Sequence, residues 1–133
     1  MTVRSRLGPS LIMVPALVVG LLLAGCSSES SSESKGDSIM QGEATYQQSC
    51  ASCHGIDLRG TDKGPSHLSQ VYEPGHHPDA AFRSAIENGA QAHHWGFGDM
   101  APVPGLDDAE IEAVIAFVRQ QQELLGFEAY PPA

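Results

Sequence analysis

Residues 50–54 read Cys-Ala-Ser-Cys-His, and the chemistry of this pentapeptide decides how the rest of the chain is interpreted. Two cysteines three positions apart can reach the two vinyl groups of one porphyrin, and a histidine directly after the second cysteine is carried beneath the iron. The spacing is typical of covalent haem attachment. It predicts that Cys50 and Cys53 bind one haem c and that His54 is the proximal iron ligand.

Three other kinds of site share this spacing. A structural zinc site would need two further ligands, which histidines downstream could supply. A redox-active C-x-x-C of the thioredoxin type belongs in a βαβ context, yet no segment of this chain alternates like a strand. A structural disulfide here would close a very short loop and would stabilise the fold little. The helical pattern around the motif favours haem.

The surrounding sequence predicts three helices and long loops, which indicates an all-α domain. The first helix spans roughly 39–50, with Ser38 as a candidate N-cap. The second begins near Pro78, a suitable first helical residue, and ends before Gly89. The third begins at Asp107, which is a good N-cap residue.

The third helix carries the clearest signals. Asp107 and Glu110 are spaced as a capping box, and Leu106 and Ile111 can form a hydrophobic staple around it. Apolar residues then recur at helical period: Ile111, Val114, Ile115, Val118 and Leu125.

The loops are long for a small domain. Residues 54–77 and 90–105 are rich in Gly, Pro, His and Asp, and all six histidines lie between His54 and His94. Loops of this length in a compact domain need something to organise them, and a small core is short of apolar surface. A bound cofactor is therefore expected.

Positions on both sides of the motif follow a recognisable pattern. Gly42 is followed four residues later by the aromatic Tyr46, and then by C-x-x-C-H-G at residues 50–55. A glycine-proline pair follows at residues 64–65, and a methionine loop precedes the capped last helix. In this pattern residues 39–125 resemble class I cytochrome c, the family of small monohaem electron-transfer proteins.

The resemblance implies the cytochrome c fold, with three main helices and long loops wrapped around one covalently attached haem. It also implies that Pro65 orients His54 and that Met100 is the second axial ligand of the iron. Family members often place proline directly after this methionine, whereas here Ala101 intervenes before Pro102.

The first and last helices are expected to cross. Tyr46 and Phe117 should meet at the crossing, with Gly42 allowing close approach. The family usually has Tyr or Trp at the position of Phe117, so this chain departs from the pattern there.

Two residue types could supply the sixth iron ligand. Met100 ends the segment Gly96-Phe97-Gly98-Asp99-Met100, and glycines let the backbone approach a macrocycle closely. Met40 precedes the haem motif on the first helix, away from the distal side. The alternative is a bis-histidine iron that uses His93 or His94.

Two histidine pairs, His76/His77 and His93/His94, are unusual for a plain electron carrier. They could have structural roles or contact haem propionates, they could bind copper or zinc, or one of them could ligate the haem iron. The alternative function is thus a haem-based sensor or a copper-handling module built on these pairs. Trp95 and Phe97, which follow the second pair, are expected to wall the haem.

The N-terminus has the features of an export signal. Arg4 and Arg6 precede an apolar run at residues 11–24, which is short for a membrane span. The run ends in Leu-Ala-Gly-Cys at residues 23–26, which resembles a bacterial lipobox. We expect a lipoprotein signal peptide at residues 1–25 and lipidation of Cys26; an uncleaved signal anchor is the alternative.

The rest of the chain divides into a tether and one domain. Residues 26–38 are the lipidated N-terminus and a Ser/Glu-rich segment expected to stay disordered. Residues 39–133 form the cytochrome c domain. The three cysteines of the sequence are then used for haem and lipid, and none is left for a disulfide.

The net charge of the chain limits the classes of molecule that it is expected to bind. Residues 1–25 hold two of the seven basic residues and no acidic ones, so the remainder has five basic and sixteen acidic residues and a formal charge of −11. Such acidity argues against nucleic-acid binding and favours redox partners with a basic docking patch.

These observations together predict an exported, membrane-anchored lipoprotein on the periplasmic or outer cell surface side. It carries single electrons between redox proteins and is not an enzyme, because two axial ligands leave the iron no open site for substrate. A place as a subunit of a larger oxidoreductase is a further reading.

Overall fold

The computed structural model describes residues 29–130, with side chains from Ser34 onward. These residues form four α-helices and one 3₁₀ turn: α1 (Glu29–Ser49), α2 (Ala51–His54), the 3₁₀ turn (Gln70–Tyr72), α3 (Asp79–Asn88) and α4 (Asp108–Leu125). No strand forms in this part of the chain, where isolated bridges join Ser69 to Glu128 and Ala90 to Met100. The predicted all-α architecture is confirmed, with α1, α3 and α4 as its three main helices.

Helix α1 begins earlier than the sequence predicts. It starts at Glu29 rather than near residue 39, so the expectation of a disordered tether is wrong for residues 29–38, and Ser38 is not an N-cap. The C-terminal half of α1 is held by packing, and extending an existing helix adds one hydrogen bond per residue without a new nucleation step. No proline interrupts residues 29–49. The helix therefore continues through residues 34–37 although they are exposed.

Helices α1 and α4 cross in close contact, as predicted. The rings of Tyr46 and Phe117 lie with their centroids 5.5 Å apart at the crossing. A Cβ added to Gly42 would lie 2.0 Å from the carbonyl oxygen of Ala113. Only glycine permits this approach of the two backbones.

The predicted start of α4 and both predicted ends of α3 are confirmed, with small differences. Asp107 accepts a hydrogen bond from the Glu110 N–H and the Glu110 carboxylate accepts one from the Asp107 N–H, both at 2.9 Å, which completes the capping box. Pro78 precedes α3 as its N-cap instead of being its first residue, and Gly89 ends the helix with φ +79°. Leu125, placed on the apolar face by its periodicity, is 54% exposed.

Most of the predictions about the membrane concern residues outside the range that the structure describes. Within residues 29–130, no helix combines the length and the apolar character needed to cross a bilayer. The predicted signal peptide at residues 1–25 and the lipidation residue Cys26 lie outside the described residues, as do residues 131–133.

Candidate haem site

A cavity of about 550 Å³ lies between α2, α3, α4 and the loop that ends at Met100. Its wall brings together residues that the sequence analysis drew from separate segments. These are Cys50, Cys53, His54, Pro65, Trp95, Phe97 and Met100.

The haem motif forms one tight helical turn. The Cys50 N–H donates to the Tyr46 carbonyl oxygen at 2.8 Å, and the His54 N–H donates to the Cys50 carbonyl oxygen at 3.0 Å. Both cysteines are half-buried free thiols on the cavity wall. Burial raises the pKa of Cys50 to about 11, so this cysteine is a neutral thiol at pH 7.

His54 is buried and its ring is oriented by Pro65. Its Nδ1 lies 3.0 Å from the Pro65 carbonyl oxygen, which can only accept a hydrogen bond, so the proton is assigned to Nδ1. Burial lowers the pKa of His54 and favours the neutral ring. The lone pair on Nε2 is thus free to bind a metal.

The backbone around His54 is fixed from three sides. The Tyr46 hydroxyl donates to the Gly55 carbonyl oxygen at 3.0 Å, and the Thr61 hydroxyl donates to the Cys53 carbonyl oxygen at 2.6 Å. A Cβ on Gly64 would lie 3.0 Å from that same Cys53 oxygen, so the loop presses closely against the motif. The turn is therefore tied both to the α1–α4 crossing and to the loop that follows it.

Sequence reasoning missed His67. This residue is buried, and its ring stacks on His54 with centroids 4.0 Å apart. Its carbonyl oxygen accepts a hydrogen bond from the Gln122 side chain at 2.7 Å, which anchors it to α4. No sequence signal distinguishes His67 from the other loop histidines, because its position depends on the path of the loop.

Met100 is clamped at the end of α3. Its N–H and carbonyl oxygen bond to the backbone of Ala90 at 2.8 and 3.0 Å. A Cβ on Gly89 would lie 2.5 Å from the Met100 carbonyl oxygen, so the loop closes directly onto the end of the helix. These contacts hold Met100 on the cavity wall without a proline at Ala101. Met40, by contrast, is 63% exposed and lies outside the cavity wall.

The aromatic residues that line the cavity differ in how far they are buried. The Trp95 ring stacks on Tyr72 with centroids 5.7 Å apart, and burial raises the pKa of Tyr72 to about 12. Phe97 is 44% exposed at the mouth. Tyr72, which the sequence analysis did not single out, links this wall to His67 with ring centroids 5.2 Å apart.

The described residues do not support a zinc site at the motif. Within residues 29–130, the metal-ligating side chains that converge are those of His76, His77 and His94, and not those of the C-x-x-C-H turn. His93 and His94 line the same cavity as Met100, so all three candidates for the second axial ligand lie on its wall.

The residues of the cavity fit a covalently attached haem. Two free thiols and a histidine with an available Nε2 share one wall, and the apolar remainder suits a porphyrin. Residues 39–122 match the model of the family described as cytochrome c. The chain is similar to cytochrome c-551 of Bacillus subtilis (strain 168), with 36% identity over 112 residues, which covers 79% of this chain and 88% of that protein. The chain therefore belongs to the cytochrome c family, has its all-α fold, and binds one covalently attached haem c.

Proposed function

We propose that this protein is an exported, lipid-anchored monohaem cytochrome that carries single electrons between redox proteins, with His54 and Met100 as the two axial ligands. The observation that carries the proposal is that one cavity gathers both of these residues with the two attachment cysteines. When bound, the haem supplies a reversible one-electron couple at its iron.

The side chains of the cavity have separate tasks in this proposal. Cys50 and Cys53 hold the porphyrin by thioether bonds, and Pro65 keeps Nε2 of His54 directed toward the metal. A thioether ligand from Met100 favours ferrous iron and raises the potential relative to two histidines. With both axial positions filled there is no site for a substrate, which favours a carrier over an enzyme.

The helical extension of α1 changes how an anchor at Cys26 would act. Gly42, at the α4 crossing, lies thirteen positions after Glu29 along the helix. At 1.5 Å per residue this is a rod of roughly 20 Å. The domain would thus stand on a helical stalk near the bilayer, instead of a fully flexible tether.

The charges of the domain support a basic partner. The side chains of Arg59, Arg83 and Arg119 each pair with at least one carboxylate of the same chain. These cations are engaged internally, while acidic residues remain in excess. Long-range attraction should therefore steer partners with a basic docking patch.

The carrier function predicts a characteristic salt dependence. Electron exchange between the reduced protein and a basic redox protein should slow steeply as salt shortens the Debye length from about 30 Å at 0.01 M to about 3 Å at 1 M. Stopped-flow absorbance measures the rate, and an acidic redox protein is the control, for which the rate should rise. Rapid binding of carbon monoxide to the reduced protein at neutral pH would contradict two filled axial positions and favour a sensor.

The lipid anchor predicts a defined N-terminus. Protein extracted from membranes should begin at Cys26 and incorporate a labelled fatty acid, as measured by intact mass and by label. Cys26→Ser should abolish both labelling and removal of residues 1–25, whereas Ser27→Ala, at the next position, should leave both unchanged. Wild-type protein that retains residues 1–25 without lipid would instead identify a signal anchor.

A further inference from the structure

Two histidine pairs that are distant in sequence meet at one edge of the haem cavity. His76 and His77 follow the 3₁₀ turn, and His94 comes from the loop before Trp95. One ring nitrogen from each of these three histidines lies within 4.8 Å of the others. His76 is exposed and the other two are half-buried, so the cluster opens to solvent on one side.

The spacing of these nitrogens is close to that of a metal site. Nε2 of His76 lies 3.2 Å from Nε2 of His94. Two imidazole nitrogens bound at 2.0–2.1 Å to one tetrahedral ion are separated by about 3.3–3.4 Å. The pair needs only a small adjustment to hold one cation.

The third ring is already in the tautomer that a ligand requires. Nδ1 of His77 lies 2.7 Å from the Val71 carbonyl oxygen, so Nδ1 carries the proton and Nε2 keeps its lone pair. A histidine that binds a metal through one ring nitrogen usually donates a hydrogen bond from the other nitrogen, often to a backbone carbonyl oxygen.

Both segments of the cluster are anchored to other parts of the domain. Arg119 on α4 donates to the carbonyl oxygens of Tyr72 and His77 at 2.7 and 2.6 Å. The Tyr130 hydroxyl donates to the carbonyl oxygen of His94. The ligand set is therefore preorganised by contacts that do not involve the imidazoles themselves.

The electrostatics suit neutral ligands. Burial lowers the pKa of His77 and of His94, and the neighbouring histidines lower both further. Within the described residues, none of the three rings forms an ion pair with a carboxylate. The neutral forms of His77 and His94 are thus favoured, and a neutral imidazole is the form that binds a metal.

Contact with the haem does not account for the whole cluster. His77 and His94 line the cavity, but His76 does not. A propionate-binding role does not involve His76, whose Nε2 is close enough to Nε2 of His94 for a hydrogen bond or for a shared cation. A cation held between them accounts for all three positions.

We propose that His76, His77 and His94 form a second metal site, beside the haem, for a divalent transition-metal cation, with Cu(II) bound more tightly than Zn(II). Imidazole ligands suit both ions, and the order of affinity follows the general order for first-row divalent metals. The site requires that His94 is free of the haem iron, as it is when Met100 is the axial ligand, and it does not depend on electron transfer.

The test is a Cu(II) titration of the haem-loaded protein, prepared without a histidine tag, in competition with a chromophoric chelator. We expect one Cu(II) per protein with a dissociation constant below about 1 µM, nitrogen couplings in the Cu(II) EPR spectrum, and weaker binding of Zn(II) in a parallel titration. His76→Ala and His94→Ala should each weaken Cu(II) binding by at least about 100-fold, because each removes a ligand. Loss of a residue that only hydrogen-bonds to a ligand already weakens metal binding by about 10–100-fold. The haem absorption spectrum of each variant verifies that it is folded and loaded.

His93→Ala is the matched control. His93 adjoins His94, but it is not among the three converging rings, and its Nδ1 bonds to the Gln91 carbonyl oxygen at 2.7 Å. This variant should bind Cu(II) within about threefold of wild type. Affinity weaker than about 1 µM, or an equal loss in His93→Ala and His76→Ala, would overturn the proposed three-histidine site while leaving the carrier function intact.

Discussion

Gly42→Ala is expected to destabilise the haem-loaded protein by about 3 kcal/mol or more, the upper range for overpacking. The added methyl group would lie 2.0 Å from the carbonyl oxygen of Ala113 and 2.9 Å from Cβ of Phe117. The first clash is with backbone, which a rotamer change cannot relieve. Helices α1 and α4 would have to separate, and the packing of Tyr46 against Phe117 would loosen with them.

The expected loss is a large share of the total stability of a small domain, about 5–15 kcal/mol. It should also disturb the haem turn, because the Tyr46 hydroxyl holds the Gly55 carbonyl oxygen. Denaturant unfolding followed by the helical circular dichroism signal measures the change.

Gly36→Ala is the matched control on the same helix. Among the described residues, no atom outside the backbone of α1 itself lies within 4 Å of a Cβ added at Gly36. The substitution should stabilise the protein slightly, by up to about 1 kcal/mol, because alanine is the better helix former. Equal effects at the two glycines would contradict the close crossing.

Met100→Ala is expected to abolish the weak long-wavelength absorption band of thioether-ligated ferric haem and to lower the midpoint potential. The variant removes the only methionine on the cavity wall among residues 29–130. Loss of a thioether withdraws the ligand that favours ferrous iron. It also opens the sixth position, so the reduced variant should bind carbon monoxide rapidly where the wild type does not.

Met40→Ala is the control for this prediction. Met40 is 63% exposed on α1 and should leave the band, the potential and the lack of carbon monoxide binding unchanged. Survival of the band in Met100→Ala would exclude Met100 as a ligand. Absence of the band from the wild type would point to His93 or His94.

Much of the fold could be predicted because its signals are local. A capping box at Asp107 and Glu110 is decided by side chains three residues apart, and the glycine that ends α3 acts at a single position. The pairing of Gly42 with Tyr46 was informative for the same reason, since one turn of helix places both on the face that meets α4. The start of α1 was mispredicted because a serine- and glutamate-rich composition does not show that an adjoining packed helix can extend through it.

The residues of the candidate haem site also fall into two groups, those that the sequence predicted and those that only the structure revealed. Cys50, Cys53 and His54 were found from their spacing, because the motif is one turn of chain. His67 was missed because its contact with His54 exists only once the loop after Gly64 has folded back. Tyr72 joins the same cluster of rings through a separate turn.

The amino-acid sequence by itself determined the haem attachment turn, the family and the three main helices, because these depend on contacts within one or two helical turns. Only the tertiary structure decided how Met100 is held and which histidines converge. Ala90 clamps Met100 through paired backbone hydrogen bonds, and His76 meets His94 across eighteen residues of chain. Such contacts depend on how α3, α4 and the loops pack together, and spacing along the chain does not specify that packing.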